Sequence, residues 1–100
     1  MNITVTPIAG GFALAGELTI YTADPLKETL LARVTPDQAL TLDLAAVDEL
    51  DTAGVQILLL ARRVAGALGI SAAAPAVREV LVRLGLDALL ATDDVTGDDA

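Results

Sequence analysis

Three carboxylates and one hydroxyl crowd together in Asp48-Glu49-Leu50-Asp51-Thr52, directly ahead of Ala53-Gly54-Val55-Gln56 and a Leu-rich run. Asp51 paired with Asp48 or Asp43 would suit acid–base work or a hard cation, provided the two converge in a concave pocket. A hydroxyl at the start of a helix suits capping, because its oxygen can accept a free backbone N–H, a contribution of about 1 kcal/mol. It also suits phosphate acceptance. Either Asp51 or Thr52 can fill the cap; if Asp51 does, the Thr52 hydroxyl lies in the first turn and points outward.

Composition narrows these options. Histidine and cysteine are both absent. The usual general base near neutral pH is therefore missing, as are thiolate catalysis, disulfides and the commonest metal ligands. A chain of 100 residues with a single Phe, a single Tyr and no Trp has little from which to build an enclosed substrate pocket. The expectation is a protein that is not an enzyme and carries no cofactor or metal. The net charge of −8 with only six basic residues argues against a nucleic-acid surface or an anionic membrane as partner. No basic, apolar and cleavable leader opens the chain, and Ala53 to Ala61 is too short to cross a bilayer. The expected location is the cytoplasm, with no direct membrane insertion.

The elements that must position Asp51 and Thr52 follow from periodicity and punctuation. Ile3-Thr4-Val5 alternates, Pro7 ends the pattern, and Gly10-Gly11 turns the chain into Phe12-Ala13-Leu14-Ala15, a hairpin. Thr22 and Asp24 are candidate caps for a first helix with Pro25 in its opening turn and Leu26, Leu30, Leu31 and Val34 on its apolar side. Leu40, Leu42 and Leu44 share one face of a strand, with Asp43 opposite or at its end. The second helix starts at Asp51/Thr52, carries Val55, Leu58, Leu59 and Arg62 at helical spacing, weakens at Gly66 and ends at Gly69. Ile70 to Ala73 is the next strand. Pro75 opens a third helix with Val77, Val80, Leu81 and Leu84 inward, Gly85 closes it, and Leu86 to Leu90 forms a short last turn. Strand–helix–strand units call for parallel pairing with right-handed crossovers. The result is an α/β single domain over residues 1–92, with a four- to five-stranded mixed sheet and helices packed mainly on one face. Residues 93–100, with Asp93, Asp94, Asp98 and Asp99, form an acidic tail.

A phosphate on Thr52 would meet opposing effects. The helix N-terminus favours an anion, whereas Asp48, Glu49 and Asp51 repel it; each helix-end interaction is only about 1 kcal/mol. The fold should tolerate the modification, while a partner pressed against this spot would face an added charge of about −2. Gly54, next to Ala53, permits close packing under a neighbouring loop and a low-relief docking surface.

Leu14-Ala15-Gly16-Glu17-Leu18-Thr19, the run from Leu42 to Val55 and Leu84-Gly85-Leu86 together resemble the STAS domain of bacterial anti-sigma factor antagonists, over about residues 3 to 92. The resemblance implies a non-catalytic interaction module. It implies that Thr52 is phosphorylated by an anti-sigma-type serine/threonine kinase that binds the unmodified form, and that Asp51 borders the site. Gly16, Glu17, Leu18 and Thr19, with Asp48, Ala53, Gly54 and Val55, would make the docking surface. Thr19 stands where the antagonists commonly have Asp, and Thr52 where they more often have Ser. Thr52-Ala53-Gly54 is also similar to the STAS subunit of phospholipid-transport ABC complexes, which docks on the ATPase, and to stand-alone STAS proteins of chemotaxis signalling. An exposed apolar helix face would support a homodimer.

Overall fold

The computed structural model describes residues 3–90. The acidic residues of the expected tail lie outside them. Four strands and three helices alternate after an opening hairpin: β1 (Ile3–Ile8), β2 (Gly11–Leu18), α1 (Ala23–Leu31), β3 (Ala39–Leu50), α2 (Thr52–Val64), β4 (Ala67–Ala73) and α3 (Pro75–Arg83), followed by a 3-10 turn at Asp87–Leu90. The sheet order is β1-β2-β3-β4. β1 is antiparallel to β2, and β2, β3 and β4 run parallel. The sheet is therefore mixed and four-stranded.

The core occupies one side of this sheet. Phe12, Leu14 and Leu18 of β2, Leu40, Leu42 and Leu44 of β3, and Ile70 of β4 are buried in one cluster with Leu26 and Leu30 of α1, Val55 and Leu58 of α2, and Val77 and Leu81 of α3. The alternate positions on these strands are small or polar: Ala13, Ala15, Thr41, Asp43 and Ser71. Two parallel crossovers that advance in one direction place their helices on one side, and α1 and α2 accordingly touch each other.

Several boundaries depart from the sequence reading for identifiable reasons. β1 continues through Pro7, which pairs with Phe12; an edge strand tolerates a residue without an N–H. β3 extends six residues beyond Leu44, to Leu50. Two register shifts against β2 interrupt its alternation, so that Leu44, Val47 and Leu50 are all buried at a spacing of three. Asp43 stabilises the first irregularity by accepting the Ala45 N–H at 3.0 Å. The second helix ends at Val64, well before Gly69, which lies within β4. The cause is Gly66: its N–H donates to the Gln38 carbonyl, and a Cβ there would stand 2.8 Å from the Pro36 carbonyl oxygen. That close approach draws the chain out of the helix and into β4. Leu31 and Leu84, expected on the apolar sides of their helices, are exposed. Gly85, at φ +73°, closes α3 as expected: its N–H reaches Val82 and that of Leu86 reaches Leu81, the pattern of a Schellman cap.

Candidate functional site

The site forms where β2 and β3 end side by side, Leu18 opposite Leu50, and the chain turns from β3 into α2. Asp51 is the N-cap. Its backbone is extended (φ −118°, ψ −174°), and Oδ1 accepts the Gly54 N–H at 3.0 Å. Oδ2 accepts the N–H of Ile20 at 3.0 Å, from the loop between β2 and α1. Both carboxylate oxygens are thus occupied by backbone donors, and the Asp51 N–H donates to the Leu18 carbonyl at 3.3 Å. Thr52 takes the first helical position and is exposed, with no partner for its hydroxyl among the described residues.

Gly54 makes this packing feasible. It is buried, and a Cβ on it would collide with the Leu18 carbonyl oxygen and stand 2.8 Å from Leu50 Cδ1. Only a residue without a side chain lets the first turn of α2 lie against the end of β2.

The loop that Asp51 holds is itself braced. Thr22 is buried; its hydroxyl donates to the Glu17 carbonyl at 2.7 Å and accepts the Thr19 N–H at 3.1 Å. It precedes α1 but makes no cap bond to that helix. The Thr19 hydroxyl accepts the Tyr21 N–H at 3.3 Å. These bonds display Ile20 and Tyr21, which are 66% and 72% exposed. Neither was singled out in the sequence. The available signal was an apolar pair in a short loop, where polar residues are the rule.

The residues expected to dock a partner divide by accessibility. Thr52, the expected phosphoacceptor, and Asp48 are exposed; Gly16, Glu17, Asp51 and Ala53 are half-buried; Leu18, Thr19, Gly54 and Val55 are buried. The buried four shape the surface from beneath. Gly16, at φ +110°, sits at the second register shift of β2 against β3. Glu17 and Glu49 are register partners, so the strand ends beside Thr52 carry like charge. No cluster of residues among those described has the composition to hold a metal ion. No helix among them is long and apolar enough to cross a membrane.

The family model described as Mlab, STAS domain, matches residues 1–91. Among solved structures, the chain is similar to the crystal structure of an anti-sigma factor antagonist from Mycobacterium paratuberculosis. Identity is 31%, the match covers 89% of this chain and 83% of that one, and the TM-score is 0.75. No curated protein matches the chain.

Proposed function

The chain belongs to the STAS-domain family, whose members are non-catalytic interaction scaffolds, and on that premise we propose that it is a protein-binding module switched by phosphorylation of Thr52. The observation that carries this reading is the division of labour at the helix start. Asp51 supplies the cap and the loop clamp with its two oxygens, which leaves the Thr52 hydroxyl free for recognition. A partner serine/threonine kinase of the anti-sigma type provides the nucleotide and the base. The γ-phosphoryl group passes to the Thr52 Oγ, whose proton is lost as the bond to ADP breaks. The product carries a charge of about −2 beside Asp48, Glu49 and Asp51, and a partner apposed to that surface is repelled. The helix N-terminus offsets part of the repulsion within the domain itself. Mass spectrometry after incubation with the candidate kinase and ATP tests the reading. Phosphate at Thr52 and loss of kinase binding by Thr52→Glu are the expected results; no modification together with unchanged binding would sink it.

A second reading has its own support in Ile20 and Tyr21. An exposed apolar pair suits a lasting interface as well as a switched one, and Thr52-Ala53-Gly54 resembles the STAS subunit that docks on the ATPase of phospholipid-transport ABC complexes. Under this reading the chain co-purifies with an ATPase from native cells, and Thr52→Ala leaves the complex intact.

A further inference from the structure

From Ala53 onward the surface opens into a groove of about 930 Å³ between α1 and α2. Half-buried Leu60 on α2 supplies the apolar floor, with Ile57, 7% exposed and part of the core, beneath it, and Ile20 stands at the end where Asp51 holds its backbone. The rim has the opposite sign to the chain as a whole. Lys27, Arg62 and Arg63 line it, half of the six basic residues in a protein of net charge −8, against one carboxylate, Asp24.

Resting on the reading of the chain as an interaction module, we propose that this groove receives an amphipathic helix of the partner protein, its apolar stripe on Leu60 and Ile20 and its flanking carboxylates facing Lys27, Arg62 and Arg63. A helix lying in a groove is held by apolar anchors of its own at i, i+3, i+4 and i+7, which here would run along Leu60 and Ile20 at the mouth of the groove. Rim charges contribute to orientation and partner choice more than to raw affinity. Their concentration here, on an otherwise acidic protein, selects a partner segment rich in Asp and Glu.

Site-specific photocrosslinking in native cells tests this, with a photoreactive residue at Leu60 in the groove and, separately, at Tyr21 in the loop before α1. The expected result is that Leu60 traps a partner segment that sequences as an amphipathic helix flanked by Asp and Glu. A basic or non-helical segment, a second copy of this chain or the chain's own residues 91–100 trapped at Leu60 would overturn the proposal. So would trapping at Tyr21 alone, which leaves the interaction reading standing. Silence at both positions overturns that reading too. With the trapped partner in hand, Arg63→Glu should weaken binding by about tenfold or more, while Arg83→Glu, the same change of charge on α3, should stay within about twofold. Equal losses would mean that only overall charge matters, and the groove assignment would fall.

Discussion

Asp51 and Ile20, 31 positions apart in the chain, are joined by a 3.0 Å bond from the Ile20 N–H to Asp51 Oδ2. The other oxygen of the same carboxylate caps α2 through Gly54. One side chain therefore fixes the position of Thr52 and the display of Ile20 and Tyr21 together.

Substitution of Asp51 should separate these tasks. Asp51→Asn keeps an acceptor for Gly54 but turns an NH2 group toward the Ile20 N–H, so the cap survives and the loop is released. Asp51→Ala loses both and should cost about 2 kcal/mol in urea denaturation. Hydrogen exchange at Ile20 and Tyr21 should accelerate in both variants, whereas exchange in the first turn of α2 should accelerate only in Asp51→Ala.

Gly54→Ala and Gly85→Ala should differ sharply. Alanine is the better helix former by about 1 kcal/mol, yet at position 54 its methyl group meets the Leu18 carbonyl. A net loss of about 2 kcal/mol or more is expected there. At Gly85 nothing lies within 4 Å of the added Cβ, and only the positive φ opposes it, for a loss of about 1 kcal/mol. Thermal melts of the two variants decide the matter.

Thr22→Val should destabilise by about 1–3 kcal/mol, because it leaves the Thr19 N–H and the Glu17 carbonyl without their buried partner. Thr22→Ser, which keeps the hydroxyl, should recover most of that loss in the same denaturation assay.

Thr52→Ala and Thr52→Glu should each shift stability by no more than about 0.5 kcal/mol, since Asp51 supplies the cap. Their effect should appear in partner binding by calorimetry. A large drop in melting temperature for Thr52→Ala would mean that the hydroxyl has a structural role after all.

Tyr21→Ala removes a side chain that is 72% exposed, so the fold should be unchanged while affinity for the partner falls by about tenfold or more, as for an aromatic anchor. Equal affinities for the variant and the parent chain in titration calorimetry would remove Tyr21 from the interface.

What the sequence revealed of this architecture depended on whether its signals were local. The Gly10-Gly11 hairpin, Pro75 at the start of α3 and Gly85 at its end are written in single residues with one conformational meaning, and all stand where they were expected. The far half of β3 was hidden because two register shifts turn a period of two into a period of three at Leu44, Val47 and Leu50. The end of α2 was misplaced because Gly66 answers to Pro36 and Gln38, a contact that no local pattern carries. At the site, the sequence offered Asp51 and Thr52 as alternative caps but could not choose between them. The choice depends on the second bond of Asp51, to a loop that only the β2–β3 pairing brings near.

Pro7 has a further consequence. It lies in β1, at the free margin of the sheet, and contributes no amide hydrogen. A strand arriving at that margin would find a gap in the ladder it needs, which disfavours fibril-like stacking of one copy on another. A protein that keeps Ile20 and Tyr21 uncovered for a partner risks indiscriminate self-association. Proline on this border lets the molecule remain sticky in one place while staying inert along an edge.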